Sequence, residues 1–268
     1  MLTRRSLLAA VPAALLLAPG TLAPAPGAAS ATTPPRQPPP RQPPPRQPPP
    51  RQQSPIALRT RDAVRDRGLP ELVVDYPRSV DLSVRYVSRD PDDPTGCTTR
   101  GREETIEAEV PAGAAAISLG GTRYELRQFH FHTPSEHTLD GRRFPVEQHF
   151  VHAGPDGATL VVGLFLTGGG RGHGVADRVL ADLPQECGEE VAVRGADLAR
   201  ALPRDLSTFR YPGSLTTSPN TEGVSWLVLR RHRRLADHTV DGFRALFPDG
   251  DAHDLQPLDG RVVRLRVQ

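Results

Sequence analysis

Short runs of alternating apolar residues, separated by Gly, Pro and Asp, fill the chain from residue 53 onward. Successive side chains of a strand point to opposite faces, so a period of two indicates half-buried β-strands. Two stretches, at residues 175–183 and 238–246, are typical of helices. The pattern predicts a mostly β (α+β) fold with a few short helices at its periphery. Its strands are predicted at residues 72–74, 80–84, 106–110, 124–126, 144–146, 160–166, 224–229 and 262–267.

The region from residue 53 to 268 is long enough to form a single domain with its own apolar core, since large β domains reach about 200–250 residues. Hydrophobic residues make up 37% of the 268-residue chain, which argues against wholesale disorder. The two cysteines, Cys97 and Cys187, are too few for a disulfide scaffold or a four-cysteine zinc site. They could form one disulfide in an oxidising compartment, and the sequence leaves that open.

The first 31 residues are typical of a targeting segment. Paired arginines, Arg4 and Arg5, precede an apolar run that ends near Ala18, and small residues follow around Ala31. This pattern predicts a signal peptide of the twin-arginine or general secretory type, and hence a periplasmic, cell-wall-associated or secreted protein. The apolar run is too short to span a bilayer, which takes about 20 residues. An uncleaved membrane anchor remains the alternative.

Residues 32–52 repeat Arg-Gln-Pro-Pro-Pro and predict a stiff, solvated polyproline II linker. Residues 1–52 contain six arginines and no acidic residue, leaving 27 basic and 31 acidic residues in the rest of the chain. That balance disfavours a nucleic-acid-binding domain, which would need a basic surface for phosphate contacts. The cationic repeat is either a passive linker or a segment that contacts an anionic cell wall. The sequence does not indicate the oligomeric state.

Three histidines in two adjacent strand-like segments predict a metal site. In the strand-like run 128–132, the side chains of Gln128, His130 and His132 lie on one face. In the second run, 147–151, those of Glu147 and His149 lie on one face of their own strand. If the two strands pair, three imidazoles can meet and leave a fourth position open, as in catalytic zinc sites. A lone strand histidine is more often structural. Gln128 and Glu147, each two residues before a ligand, could accept the other ring N–H and so favour the metal interpretation.

The stretch from Gln128 to His152, Gln-Phe-His-Phe-His-Thr-Pro-Ser-Glu-His through Val-Glu-Gln-His-Phe-Val-His, closely resembles the α-class carbonic anhydrases of exported bacterial type. Further blocks that resemble the family occur in the same order at residues 53–56, 211–217, 224–226 and 256–261. The resemblance implies a central twisted sheet, largely antiparallel, with Zn²⁺ at the base of a conical cavity. It also implies that the protein is an enzyme, a zinc lyase that reversibly hydrates carbon dioxide to bicarbonate and a proton through zinc-bound hydroxide.

The resemblance assigns roles to individual residues. It makes His130, His132 and His149 the zinc ligands, supported by Gln128, Glu147, His137 and Tyr211. Thr216 would accept a hydrogen bond from the hydroxide and donate its own proton to Glu136. The wall that contacts carbon dioxide would be formed by Val151, Val161, Leu215, Thr217 and Trp226.

Several positions depart from the family pattern. Glu104 falls where a proton-shuttling histidine usually stands, and a carboxylate with an ordinary pKa near 4.3 is a poorer proton acceptor at neutral pH than imidazole. The segment before Gln256 reads Asp251-Ala252-His253-Asp254 in place of Asn-x-Arg-Pro. These changes keep open a catalytically weak or non-catalytic zinc-binding relative in the cell envelope.

A cupin-type metal site is the lesser alternative, because His130, His132 and Glu136 also fit a His-x-His…Glu pattern.

The glycine-rich residues 168–172 are expected to form a flexible turn, since no Lys-Ser/Thr follows as in a phosphate-binding loop. Four other histidines are expected at the surface: His173, His232, His238 and His253.

Overall fold

The computed structural model describes residues 52–89 and 100–268. Within these ranges the strands are β1 (Ala57–Leu58), β2 (Val64–Arg65), β3 (Leu72–Asp75), β4 (Val80–Ser88), β5 (Glu104–Glu109), β6 (Ala116–Leu119), β7 (Thr122–His132), β8 (Thr138–Leu139), β9 (Val146–Ala153), β10 (Thr159–Thr167), β11 (Glu190–Ala196), β12 (Thr208–Ser214), β13 (Glu222–Leu229), β14 (Arg233–Arg234) and β15 (Arg264–Arg266). The helices are α1 (Val175–Val179) and α2 (Asp237–Leu246), with short 3-10 turns at Pro155–Gly157 and Leu198–Arg200. The signal peptide at 1–31 and the linker at 32–52 were predicted for a region that, except for residue 52, lies outside the described residues.

Thirteen strands of the described residues form one sheet. Its main path runs β11-β4-β5-β7-β9-β10-β13-β12-β15-β2, with β6 joining β3 to β7, and β14 beside β10. Neighbours are antiparallel except β10–β13, β10–β14 and β15–β2. β1 and β8 make a separate parallel pair. This arrangement confirms the predicted mostly β fold with a largely antiparallel central sheet.

The two faces of the sheet bury different apolar clusters. Along β9, Phe150 contributes to the larger cluster, which also includes residues of α1 and α2. On the opposite face Trp226 and Val161 belong to a smaller cluster that contains the segment around Ile56. Because alternate residues of β9 face opposite ways, Glu147, His149 and Val151 share the face of the smaller cluster. The sheet therefore directs the metal-ligand candidates to one side.

Most of the predicted elements are present, with shifts at their ends. Helix α2 begins one residue before its predicted start and ends at Leu246 as predicted. Helix α1 ends at Val179 rather than at 183, and Leu180 already has φ −90° and ψ 2°. Pro184 disfavours helical conformation at the residue before it, so the helix could not have reached its predicted end. Neither helix in the described ranges is long and apolar enough to cross a membrane.

The strand predicted at residues 144–146 was wrong in its first half, because β9 starts at Val146. Phe144 instead exchanges hydrogen bonds with Ser135: its N–H donates to Ser135 Oγ and its carbonyl accepts from Ser135 N, both at 2.9 Å. Pro145 has no N–H to donate to a ladder, which is why the strand starts only after it. The segment 135–144, which includes the two-residue strand β8, thus connects β7 to β9 and places Glu136 and His137 beside the sheet.

Candidate metal centre

Antiparallel pairing of β7 and β9 brings the three histidines together. His130 lies directly opposite His149, and His132 lies opposite Glu147. The ring centroids are separated by 5.1 Å for His130 and His132, 5.2 Å for His130 and His149, and 4.8 Å for His132 and His149. One nitrogen from each ring lies within 4.8 Å of the other two. The predicted convergence of the three imidazoles is therefore present in the structure.

Two of the three rings are fixed by a hydrogen-bond acceptor. His130 Nδ1 donates to Gln128 Oε1 at 2.8 Å, and His149 Nε2 donates to Glu147 Oε1 at 3.0 Å. These bonds leave His130 Nε2 and His149 Nδ1 to face the shared centre. Acceptors of this kind fix the tautomer and orientation of metal-binding histidines. Gln128 and Glu147 thus occupy the supporting positions predicted for them.

His132 is held differently. The ring is fully buried, and neither nitrogen has a hydrogen-bond partner among residues 52–89 and 100–268. Asp251 Oδ2 lies 3.6 Å from His132 Nδ1, beyond hydrogen-bonding distance, while Asp251 Oδ1 accepts from Thr133 N at 2.6 Å. Leaving a buried polar atom unpartnered is costly. A metal ion bound by His132 Nε2 would remove part of that cost, so this donor set fits zinc.

The protonation states of the ligands also suit a metal. Burial disfavours a charged ring and, with His132 and His149 nearby, holds the pKa of His130 well below its ordinary value. Burial lowers the pKa of His132 to about 4, although Glu136 acts in the opposite direction. Both rings are therefore neutral at pH 7, the form in which histidine binds Zn²⁺.

A chain of hydrogen bonds runs away from the centre through Glu147. Glu147 Oε1 also accepts from His137 Nδ1 at 2.8 Å, and Glu147 Oε2 accepts from His137 N at 2.8 Å. Tyr211 OH lies 2.7 Å from His137 Nε2 and 2.9 Å from Ser54 Oγ. Burial alone would raise the pKa of Glu147, but His137 and His149 lower it well below the ordinary value. The carboxylate is thus ionised, and it orients both imidazoles.

A cavity of about 330 Å³ opens beside the three rings. Gln128, His130 and His149 line its polar side. Trp226 and Val161, aligned by the parallel β10–β13 register, contribute to its apolar side. The other wall residues predicted from sequence also lie here: Val151, Leu215 and Thr217. Thr216, predicted to accept a hydrogen bond from the hydroxide, lines the same cavity.

Glu104 is not at this cavity. It is 1% exposed on the opposite face of β5, where its Oε2 accepts hydrogen bonds from Tyr86 OH at 2.5 Å and from Arg100 N at 2.8 Å. Thr105 and Glu107 are the β5 residues that line the cavity, and Glu107 pairs with Arg89 there. The proton-shuttle role predicted for Glu104 therefore does not fit its placement. The period of two in β5 already put Glu104 on the face of Ile106.

The expected hydrogen bond between Thr216 and Glu136 is also not formed within the described part of the chain. Glu136 Oε1 instead accepts from His253 Nδ1 at 2.7 Å and from His253 N at 3.1 Å. Glu136 Oε2 has no hydrogen-bond partner there and lies 3.6 Å from His132 Nε2. Burial would raise the pKa of Glu136, but His132 and the bond from His253 lower it well below the ordinary value.

His253 was expected at the surface, and that prediction was wrong. Its side chain is 14% exposed and bridges two carboxylates, with Nε2 at 3.2 Å from Glu103 Oε1. Glu103 Oε2 in turn accepts from Ser218 N at 2.8 Å. His253 is 117 residues from Glu136 along the chain, so no local pattern could have shown the contact. The other three histidines of that group, His173, His232 and His238, are exposed as predicted.

A family model described as eukaryotic-type carbonic anhydrase matches residues 45–266. The chain belongs to this family. A carbonic anhydrase of Neisseria gonorrhoeae is 36% identical over 159 residues, which cover 59% of this chain and 63% of the relative. The chain spans 63–65% of the length of five bacterial carbonic anhydrases that it matches.

The solved α-carbonic anhydrase of Thermovibrio ammonificans, in complex with the inhibitor sulfanilamide, has a TM-score of 0.67 and 31% identity to this chain. The aligned region covers 80% of this chain and 86% of the solved chain. Dioscorin DB3S of Dioscorea polystachya is 31% identical over 221 residues, covering 79% of this chain and 75% of the relative. Membership of the carbonic anhydrase family rules out the cupin interpretation.

Proposed function

We propose that this chain is a zinc-dependent carbonic anhydrase that interconverts carbon dioxide and bicarbonate. The observation that carries the proposal is the convergence of His130, His132 and His149 beside a cavity with one apolar side. Family membership supports it. Bound zinc supplies a Lewis acid that makes water nucleophilic at neutral pH, the role for which carbonic anhydrases are the standard example.

The residues around the cavity would contact the substrate, orient the attacking oxygen and support the zinc ligands. Val151, Val161, Leu215 and Trp226 form an apolar surface suited to a small uncharged substrate such as carbon dioxide. Thr216 lies on the same cavity wall, where its hydroxyl could orient the attacking oxygen. Gln128 and Glu147 fix the tautomer and orientation of His130 and His149, so that little reorganisation is needed during turnover.

The test is stopped-flow hydration of carbon dioxide by the zinc-loaded protein, with metal content measured in the same sample. We expect about one zinc per chain, measurable turnover and inhibition by acetazolamide or sulfanilamide. His149→Ala should abolish both zinc binding and hydration, and the exposed His238→Ala is the matched control. Full turnover by the His149 variant with stoichiometric zinc would contradict the site.

A catalytically weak zinc-binding relative is the second candidate. It is favoured by the position of Glu136, whose carboxylate bonds to His253 rather than to Thr216. The similarity to dioscorins shows that proteins with another name share this fold. Stoichiometric zinc with hydration no faster than the His149→Ala protein would support this candidate over the enzyme.

We also propose that the domain works outside the cytoplasm, in the periplasm, on the cell wall or as a secreted protein. The sequence of residues 1–52 motivates this, and a disulfide at Cys187 supports it, because disulfides persist mainly in oxidising compartments. The other cysteine of the chain, Cys97, lies outside the described residues. N-terminal sequencing of the mature protein from culture medium and envelope fractions tests the export: a start near residue 32 is expected, and an intact N-terminus on cytoplasmic protein would contradict it.

A further inference from the structure

A second cavity of about 430 Å³ lies beside β14 and helix α1. The glycine-rich turn around residues 168–174 and the first residues of α1 form part of its wall. It shares none of the residues that line the cavity at the metal centre. Five arginines and two aspartates line it, an excess of three positive charges: Arg171, Arg178, Arg200, Arg233, Arg234, Asp177 and Asp197.

Four of these arginines have no carboxylate within 4.0 Å in the described part of the chain. The guanidinium of Arg178 donates to the carbonyls of Gly195 at 3.0 Å and Arg194 at 2.6 Å. Arg233 donates to the carbonyl of Leu202 at 3.0 Å. These neutral acceptors orient the two side chains without cancelling their charge.

The remaining two, Arg171 and Arg234, form no ion pair within the described ranges and are exposed at the mouth of the cavity. The fifth arginine, Arg200, is paired with Asp197 at 3.4 Å. The cavity is therefore a concave region of positive charge, whereas residues 53–268 as a whole carry more acidic than basic side chains.

The second acidic residue that lines the cavity, Asp177, connects segments of the cavity wall through hydrogen bonds. Its Oδ1 accepts from Ala236 N at 2.8 Å and from Thr239 Oγ1 at 3.0 Å, and its Oδ2 accepts from Gly174 N at 3.2 Å. These bonds tie the glycine-rich turn to the start of α2. Asp177 thus builds the cavity and forms no ion pair with its arginines.

An unpartnered buried amide marks the inner end of this region. Gln148 is 1% exposed, and its Nε2 has no hydrogen-bond partner within residues 52–89 and 100–268. It lines a small cavity of about 20 Å³ whose wall also includes Gly174, Arg200 and Arg233 of the larger one. Such a volume is enough for one small polar group. A buried N–H donor beside guanidinium groups favours an acceptor-rich, negatively charged ligand.

We propose that this cavity binds a small oxyanion of the bicarbonate or phosphate class. Guanidinium groups recognise planar or tetrahedral oxyanions through paired N–H donors. The guanidinium groups of Arg171 and Arg234 form no ion pair within the described ranges, so their N–H donors are available to such a ligand. Bicarbonate would be the product of the proposed reaction, and phosphate would be a solution anion. The binding site itself does not depend on the proposed activity, since no group of the metal centre takes part.

The site lies behind a strand that carries two components of the metal centre. Gln148 stands between Glu147 and His149 in β9 and points to the opposite face of the sheet. An anion that bonds Gln148 would therefore contact the reverse side of the strand that holds a zinc ligand. This placement makes the side-chain amide of Gln148 a direct spectroscopic reporter of occupancy.

The test is a titration of the zinc-loaded full chain with sodium bicarbonate, sodium phosphate and sodium chloride at constant ionic strength, followed by calorimetry and by the ¹⁵N–¹H signals of glutamine side chains. We expect saturable binding of at least one oxyanion, a shift of the Gln148 signal, and weak or no response to chloride. The anion whose saturation curve coincides with the shift of the Gln148 signal is the ligand of this cavity.

The double variant Arg171→Gln/Arg234→Gln should weaken oxyanion binding about tenfold or more, because two charge-assisted donors are lost. Arg61→Gln/Arg65→Gln is the matched control: it removes the same charge from exposed positions that do not line the cavity. Gln148→Met, of similar shape, should weaken binding without altering secondary structure by circular dichroism.

Equal binding by the double variant, equal responses to chloride and the oxyanions, or no saturable binding would each overturn the proposal. The double variant leaves the metal centre unchanged, so an oxyanion that binds there gives the same signal in both proteins. The difference between the two proteins therefore reports the second cavity whether or not the chain hydrates carbon dioxide.

Discussion

Glu147→Gln tests whether the metal centre depends on the acceptors behind its ligands. The carboxylate is fully buried and receives three hydrogen bonds: two at Oε1, from His137 Nδ1 and His149 Nε2, and one at Oε2, from His137 N. Glutamine has nearly the same shape, but only one of its two terminal atoms can accept. Whichever way the amide is turned, its NH₂ group faces at least one N–H donor.

The cost follows from these contacts. One charge-assisted hydrogen bond is lost, about 1.5–3 kcal/mol, and a buried donor is left without an acceptor. If the amide nitrogen replaces Oε1, His149 loses the acceptor that sets its tautomer. Substitution of such an acceptor typically weakens metal binding about 10–100-fold. We expect zinc affinity to fall within that range and the free energy of unfolding of the metal-free protein to fall by about 2 kcal/mol.

Zinc affinity is measured by competition with a chromogenic chelator, and stability by urea unfolding of the metal-free protein. Glu125→Gln is the matched control, because that carboxylate is partly exposed and contacts Arg127 at 3.2 Å rather than the metal centre. The reasoning would be refuted if Glu147→Gln kept zinc affinity and stability within the range of the Glu125 control.

Two further predictions concern groups outside the ligand set. His253→Ala should leave buried Glu136 without its side-chain partner at 2.7 Å, and it should lower the hydration rate about tenfold with zinc content unchanged. His253→Gln should restore part of that rate. Equal hydration rates in the unmodified protein and both variants would contradict this prediction. Burial alone would raise the pKa of Asp205, but bonds from Ser207 and Arg231 lower it to about 2. This stabilisation is present above the ordinary value of 3.8 and is lost as the pH falls towards 2. Because 32% of the side chain is exposed, we expect Asp205→Asn to cost about 1 kcal/mol in urea unfolding at pH 7 and almost nothing at pH 2; an equal cost at both values would exclude the linkage.

Local sequence patterns predicted the parts of the site that depend on single strands. The alternation in β7 and β9 puts Gln128, His130, Glu147 and His149 on the correct face, and the structure confirms that they converge. The same alternation, applied to β5, would have excluded Glu104 from the cavity. The family motif locates Glu104 only by its place along the chain, whereas the strand face decides whether the side chain reaches the cavity.

Contacts between distant segments could not be predicted in this way. His253 reaches Glu136 across 117 residues, through a loop with no periodic pattern, and it bonds to a carboxylate predicted to serve Thr216. Burial of Asp251 near His132 depends on the same segment. The cavity around Arg171 and Arg234 combines side chains from three separated stretches of sequence, none of which shows a binding motif by itself. Such sites result from tertiary packing.

The hydrogen-bond chain from Ser54 through Tyr211, His137 and Glu147 to His149 has a consequence for how the protein matures. Ser54 and Tyr211 are 157 residues apart, and Tyr211 and His137 are 74 apart, so the chain closes only after remote parts of the polypeptide have met. Long-range contacts of this kind form late in folding because their loop-closure entropy must be overcome first. We therefore expect zinc to be acquired by an already assembled scaffold, not to nucleate it.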